Sequence, residues 1–168
     1  MLPVIKTILY ATGLRSGAPY VFRYALTLAR QHQAKIVVVH AVEPLSAFGQ
    51  SLVEQYISHQ DSEAMHSKAR ETVKAQIEER IKQLCAKECN GTPECGNSVS
   101  AIQVVDGYPD QVILHAAKAC GADVIVMGAQ GQSLVGEVML GSTTRKVLQR
   151  AEQPVFVVRV PKGTSEIL

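Results

Sequence analysis

The chain has 168 residues, 46% of them hydrophobic, and a formal net charge of +2 at pH 7. This length and composition predict a single domain over residues 1–168 with a full hydrophobic core. The charges nearly balance and form no basic block, so nucleic-acid binding is not indicated. The apolar runs are too short to cross a bilayer, and Met1–Tyr10 lacks the pattern of a signal peptide. We therefore expect a cytoplasmic protein that does not insert into membranes.

Short apolar runs rich in Val and Ile alternate with helical patterns along the chain. Strands are predicted at Ile5–Tyr10, Ala34–Val42, Val99–Val105, Asp123–Met127 and Pro154–Val160. Helices are predicted between them at Ala18–Gln33, Ser62–Lys87, Pro109–Ala119 and Ser142–Ala151. Continuous Val and Ile runs are typical of strands buried on both faces of a parallel sheet. The alternation therefore predicts a three-layer α/β protein with helices on both faces of one sheet.

The periodicity of the first two helices also predicts which side chains they bury. The first helix should turn Val21, Tyr24, Ala25 and Leu28 towards the sheet, and the second Val73, Ile77, Ile81 and Leu84. The long segment between them, from Pro44 to Gln60, shows no clear pattern and is predicted as a short helix or a mobile flap.

Three of the four cysteines are close together in the sequence. Cys85, Cys89 and Cys95 have the spacing Cys-x3-Cys-x5-Cys, which differs from the paired Cys-x2-Cys spacing of a convincing zinc site. In a reducing cytosol, disulfides are not the default. We interpret these residues as incidental thiols, with a metal or redox site as the alternative.

The fourth strand runs into a segment punctuated by glycines, with the spacing Gly128-x2-Gly131-x9-Gly141-Ser142-Thr143. Glycines let the backbone approach an anion, and a helix that begins at Ser142 offers unpaired N–H groups to it. In doubly wound sheets, ligands bind beyond the carboxyl ends of the strands, where strand order reverses. The segment therefore predicts a phosphate site, although a glycine-rich loop that only forms turns is the alternative. Ser142 and Thr143 are also suitable N-cap residues.

The glycine spacing and four strand segments resemble the nucleotide-binding branch of the universal stress protein A family. The matching segments are Ile8–Thr12, Val38–Val42, Asp123–Gly128 and Gln153–Val158, so that the resemblance covers nearly the whole chain. It implies a flavodoxin-like or Rossmann-like fold with strand order 3-2-1-4-5. It also implies a homodimer that forms through the last strand.

The same resemblance implies a set of residues that contact a nucleotide. The phosphates would lie against Gly128, Gly131, Gly141, Ser142 and Thr143, the adenosine would face Met127 and the backbone near Ala41 and Val42, and Ala11 and Thr12 would complete the cleft. The implied ligand is ATP, with ADP or AMP as alternatives, with or without Mg²⁺.

The chain departs from the family pattern at positions that usually carry charge. Gly13 stands where an Asp is usual, and Gln130 and Gln132 stand where a basic or imidazole residue is frequent. Phosphate binding should therefore depend mainly on backbone N–H groups. Arg15, Arg145 and Lys146 are the candidates for a compensating cation. His40 is interpreted as a core or cleft-edge residue rather than a base.

The sequence shows no nucleophile–base pair, no Gly-Lys-Ser/Thr step and no cluster of metal-binding carboxylates. We therefore predict an ATP-binding protein of the stress response that is regulatory rather than catalytic. A nucleotide-free dimeric interaction protein of the same family, or a weak ATP hydrolase, is the alternative.

Overall fold

The computed structural model describes residues 1–44, 46, 49, 51, 59–90, 97–129, 140–161 and 164, with side chains of the second helix from Ser67 onward. Its strands are β1 (Thr7–Ala11), β2 (Lys35–Val42), β3 (Val99–Asp106), β4 (Val124–Gly128) and β5 (Val155–Val158). Its longer helices are α1 (Ala18–His32), α2 (His59–Cys89), α3 (Pro109–Ala119) and α4 (Ser142–Arg150). The predicted alternation is confirmed, and the largest boundary difference is at α2, which begins at His59 rather than Ser62.

The five strands form one parallel sheet in the order β3-β2-β1-β4-β5. β1 lies at the centre, where Tyr10 is opposite Val38 on one side and Val126 on the other. The chain adds β2 and β3 on one side of β1, and then returns to add β4 and β5 on the other side. The reversal of strand order thus falls between β1 and β4, and the predicted flavodoxin-like fold is confirmed.

Side chains of each central strand alternate between the two faces of the sheet, so that two hydrophobic clusters form. On one face, Ile8 and Tyr10 pack with α1 and α2 through Phe22 and Ile81. On the other face, Leu9 packs with α3 and α4 in a cluster that includes Ile113, Ile125 and Val147. Burial on both faces explains the continuous apolar strands of the sequence. None of the helices in the described part of the chain is both long and apolar enough to cross a membrane.

Two helical side chains that were predicted to be buried are exposed. Tyr24 is 39% exposed because the buried face of α1 is centred on Phe22 and Ala25 instead. Val73 is 44% exposed, whereas Ile81, two turns later in α2, is fully buried. A helix of 31 residues is about 46 Å long, which exceeds the length of the strands beneath it. Among the side chains of α2 that the structure describes, those near its C-terminal end therefore pack most deeply against the sheet.

The cysteines at the end of α2 differ from one another. Cys85 is a free thiol, and burial raises its pKa to about 11. Cys89 is disulfide-bonded, so the interpretation of Cys89 as an incidental thiol is wrong. That interpretation rested on the assumed reducing compartment and on the absence of paired Cys-x2-Cys spacing, and neither of these excludes a disulfide. Cys95 lies outside the described residues.

A carboxylate joins the amino ends of β1 and β4. One oxygen of Asp123 accepts hydrogen bonds from the backbone N–H groups of Lys6, at 2.7 Å, and Thr7, at 2.9 Å. These bonds lower the pKa of Asp123 below its usual value. A lowered folded-state pKa means that the carboxylate stabilises the fold above the unfolded-state pKa, and that this contribution is lost as pH falls through the folded-state pKa.

We therefore expect Asp123→Asn to lower the free energy of unfolding at pH 7 by about 1 kcal/mol, since an amide is a weaker acceptor than a carboxylate. The difference from the wild type should shrink as the pH falls below about 4, the unfolded-state pKa of an aspartate. Urea unfolding of both proteins across this range measures the difference. A difference that is unchanged at low pH would contradict the assigned role of Asp123.

Candidate functional site

A cavity of about 430 Å³ opens at the carboxyl ends of β1, β2 and β4. Its volume lies within the range of about 300–1,000 Å³ that is usual for small-molecule sites. Seven of the ten predicted contact residues line it: Ala11, Thr12, Ala41, Val42, Met127, Gly128 and Thr143. Gly141 and Ser142 are not among the described lining residues, and Gly131 lies outside the described part of the chain. The fold thus brings together residues from three strands and one helix that are far apart in the sequence.

The start of α4 forms one wall of the cavity. Gly141 is the N-cap, with ψ of 154°, and no side chain caps the helix. The prediction that Ser142 and Thr143 are N-caps is wrong, because both already lie within the first turn. Thr143, the second residue of the helix, lines the cavity. The first-turn N–H groups, which have no partner within a helix, are therefore not used by a side-chain cap.

A buried threonine fixes this helix terminus to the sheet. Thr144 is 2% exposed, and its hydroxyl donates a hydrogen bond of 3.1 Å to the carbonyl oxygen of Gly128 at the end of β4. The contact holds the first turn of α4 beside the strand end, so that both face the same cavity. Thr144 was not predicted as a site residue, since only the fold shows that its hydroxyl reaches Gly128.

The loop after β1 is held by Thr12, which is 7% exposed. Its backbone N–H donates to the carbonyl oxygen of Val39 at 3.0 Å, and its hydroxyl accepts from the N–H of Leu14 at 3.1 Å. Leu14 has a φ of +54°, in the left-handed region that most residues avoid. The side chain of Leu14 packs against the core, which stabilises this turn.

His40 lies at the edge of the cavity. The sequence predicted it as either a core or a cleft-edge residue, and the structure shows the second. Its Nδ1 atom is 2.7 Å from the carbonyl oxygen of Thr12. A carbonyl oxygen can only accept, so Nδ1 carries the proton and Nε2 of the neutral ring is an acceptor. This hydrogen bond joins β2 to the loop after β1. It engages Nδ1 with the backbone rather than with a nucleophile.

The opposite wall and the floor of the cavity are mainly apolar. Ile113 and Met127 contribute from α3 and β4, and Pro109 contributes at the start of α3. The hydroxyl of Tyr10 donates to the carbonyl oxygen of Ala18 at 2.9 Å. Burial raises the pKa of Tyr10, so its side chain is neutral at physiological pH. The cavity therefore has an apolar slot beside a polar helix terminus.

Arg15 and Glu43 provide the formal charges among the described lining residues. Arg15 was one of three predicted candidates for a compensating cation, whereas Glu43 was not predicted. The position of Glu43 directly after β2, at the carboxyl end of the sheet, was the available signal. Gly13, which also lines the cavity, adds no side chain to it. The described residues also contain no group of three or more His, Cys, Asp or Glu side chains that could hold a metal ion. Among the described lining residues, Glu43 is therefore the carboxylate that is available to a Mg²⁺ ion.

The parallel sheet, its order and the cavity at its point of reversal define a doubly wound protein of the flavodoxin-like class. The family model described as universal stress protein family matches residues 5–159. This chain belongs to the universal stress protein family.

Individual relatives agree with this assignment. A universal stress protein of Thermus aquaticus, from the QAH/OAS sulfhydrylase 3' region, is 32% identical over 157 residues, which cover 93% of this chain and 100% of the relative. Protein MJ0577 of Methanocaldococcus jannaschii is 23% identical over 159 residues, covering 95% of this chain and 98% of that protein.

Solved structures show the same fold. The structure of MJ0577 matches with a TM-score of 0.66 at 20% identity, over 96% of this chain and 100% of that chain. A universal stress protein in complex with cAMP matches with a TM-score of 0.60 at 18% identity, over 95% of this chain and 100% of that chain.

Proposed function

We propose that this chain binds an adenine nucleotide, with ATP as the preferred ligand, and that it acts as a regulatory homodimer in the stress response. The observation that carries the proposal is the juxtaposition in one cavity of an apolar slot and a helix N-terminus without a side-chain cap. A nucleotide has the matching chemistry, since its base is flat and largely apolar and its phosphates are anionic.

The phosphates would lie at α4 and the end of β4. Thr143 and Gly128 face this part of the cavity, and the predicted contacts Gly131, Gly141 and Ser142 belong to the same segment. The N–H groups of a first helical turn attract an anion through their partial positive charge. The hydrogen bond from Thr144 to Gly128 holds them in place before a ligand arrives. Such preorganisation lowers the entropic cost of binding.

The adenosine would lie deeper in the slot. Met127 and Ile113 offer apolar surface, and Ala41 and Val42 offer backbone groups at the end of β2. Ala11 and Thr12 would close the slot from the β1 side. A protein of the same fold and family has been solved with cAMP, which is itself an adenine nucleotide. These features support the nucleotide-binding branch rather than the nucleotide-free alternative.

A regulatory role is proposed over catalysis because of the chemistry of the lining. His40 is the imidazole in the described cavity, and within the described residues its ring is hydrogen-bonded to the backbone of Thr12 and to no nucleophilic side chain. A general base that activates a nucleophile needs a hydrogen bond to that nucleophile or to its water. Regulation would follow if the nucleotide binds one conformation of the protein better than another.

The test of this site is Thr143→Glu. A glutamate in the first turn is favourable for helix α4, so the protein should remain folded. The new carboxylate would face the cavity and repel a phosphate there, and we expect ATP affinity to fall at least about tenfold. Calorimetric titration with ATP, ADP, AMP and cAMP measures the effect.

The matched control is Gln149→Glu, which adds the same charge to an exposed position of the same helix. This site is about 9 Å further along the axis, so ATP affinity should change little. Wild-type protein that is folded yet binds none of the four nucleotides, and releases none on denaturation, would overturn the proposed function. Phosphate release well above a protein-free control would favour the weak hydrolase instead.

The proposed dimer would form through β5, which is an edge of the sheet. Phe156 on this strand is 39% exposed, and its ring centroid is 6.0 Å from that of Tyr24 on α1. Tyr20 extends the row, at 5.4 Å from Tyr24. On the α4 side of the same edge, Leu148 is 43% exposed. An open strand edge flanked by exposed aromatic and aliphatic side chains is suited to self-association.

A further inference from the structure

Four cations are close enough in sequence or fold to be considered as partners for an anionic ligand in the cavity. Two of them are already engaged by Asp110, whose side chain is only 6% exposed. Nζ of Lys146 is 3.7 Å from one carboxylate oxygen of Asp110, and a guanidinium nitrogen of Arg150 is 3.3 Å from the other. The third, Arg145, is exposed and does not line the described cavity.

Arg15 is the cation that remains. It is the only Lys or Arg among the described residues that line the cavity. It forms no ion pair within the described ranges, and no such pair joins it to Glu43 of the same cavity. Its backbone is fixed, because its carbonyl oxygen accepts a hydrogen bond of 2.8 Å from the N–H of Ala18 at the start of α1.

The side chain of Arg15 runs beside Gly13 in this part of the cleft. A Cβ atom added at Gly13 would be 3.8 Å from Cγ and 4.0 Å from Nε of Arg15. The side chain of Arg15 thus passes within van der Waals contact of any side chain introduced at position 13. The loop after β1 therefore presents a guanidinium to the cavity and no carboxylate beside it.

We infer that Arg15 is a specificity-determining residue, which selects phosphorylated nucleotides over nucleosides by binding a phosphate from the β1 side of the cleft. The inference rests on the proposed nucleotide site. The start of α4 would contact the phosphates from one side, and Arg15 would contact them from the other. A guanidinium suits this role because its planar set of N–H donors matches two phosphate oxygens at once.

The experiment compares affinity along a ligand series of adenosine, AMP, ADP and ATP in wild-type protein and in Arg15→Gln. We expect Arg15→Gln to weaken ATP binding about tenfold, the loss typical of a charged hydrogen bond. Adenosine binding should be unchanged. Arg15→Lys should restore part of the loss, since it keeps the charge without the planar fork. The matched control Arg145→Gln removes an exposed cation outside the cavity and should leave the whole series unchanged.

A second variant, at the neighbouring residue Gly13, tests the charge of Arg15. Gly13→Asp has room for its Cβ, and its carboxylate would lie beside Arg15 and neutralise it. ATP affinity should fall as in Arg15→Gln, with adenosine again unaffected. The combination of Gly13→Asp with Arg15→Gln should weaken ATP binding further, because the added carboxylate then repels phosphate without a cation beside it.

The outcomes separate this inference from the proposed function. Wild-type protein that binds ATP, together with an Arg15→Gln variant whose ratio of adenosine to ATP affinity is unchanged, would overturn only the role of Arg15. Equal losses for adenosine and ATP would also overturn it, because Arg15 would then act on the nucleoside or on the fold. Wild-type protein that binds no nucleotide would overturn both.

Discussion

Replacing Phe156 with glutamate should convert the protein from a dimer to a monomer. In a two-fold symmetric interface through β5, the Phe156 side chains of both copies lie in the same buried patch. The substitution removes an aromatic contact and places a charge on each side of the interface. Loss of a central aromatic residue typically costs at least about 2 kcal/mol of association, or roughly thirtyfold in the dimer dissociation constant.

The measurement is molar mass by light scattering across a dilution series. The matched control is Val105→Glu, because Val105 is also 39% exposed but lies on β3, the opposite edge of the sheet. This variant should remain a dimer. If Val105→Glu dissociates the dimer and Phe156→Glu does not, the interface lies at the other edge. A wild-type monomer at every concentration would rule out the proposed dimer.

The fold could be predicted from the sequence because each strand is marked by its own local run of hydrophobic residues. Continuous Val and Ile runs such as Ile36–Val39 arise from burial on both faces, and the structure shows Ile36 and Val38 on one face and Val37 and Val39 on the other. The alternation of strands and helices along the chain is then compatible with only a few sheet topologies. The position of the cleft follows from that topology, since the strand ends at Ala11, Val42 and Gly128 meet where the order reverses.

Features that depend on contacts between distant parts of the chain were not predictable in the same way. A Cβ atom at Gly17 would be 2.7 Å from a methyl of Val160, so this glycine permits close packing of two segments far apart in the sequence. Tyr24 fits the helical period as well as Phe22 does, and only the geometry of α1 on the sheet decides between them. Likewise, the sequence left Arg15, Arg145 and Lys146 equivalent as cations. The contact between Lys146 and Asp110 distinguishes them.

The proposed binding and the proposed dimer are connected through α1. Arg15 in the loop just before α1 and Ala18 at its start line the cavity, whereas Tyr20 and Tyr24 of α1 extend the aromatic row beside β5. A shift of this helix on nucleotide binding would move both surfaces together. For this coupling to be regulatory, ATP must bind the monomer and the dimer with different affinities.

Replacing Phe22 with alanine should cause the largest loss of stability among the variants considered. Phe22 is fully buried, and its ring centroid is 5.2 Å from that of Tyr10 between α1 and the sheet. Truncation of a buried phenylalanine typically costs about 3–5 kcal/mol, since it loses both the transfer free energy and the packing around the cavity it leaves. This is a large fraction of a total stability of about 5–15 kcal/mol.

Tyr24→Ala provides the comparison, because it removes an aromatic ring from the same helix at an exposed position. We expect it to cost about 1 kcal/mol, the scale of a surface aromatic contact. Urea unfolding at two protein concentrations separates loss of fold stability from any contribution of the dimer. If the two variants lost equal stability at both concentrations, the burial pattern of α1 would be wrong. A much larger loss in Phe22→Ala would confirm that the buried face of α1 includes Phe22, which packs on Tyr10 of the cavity lining.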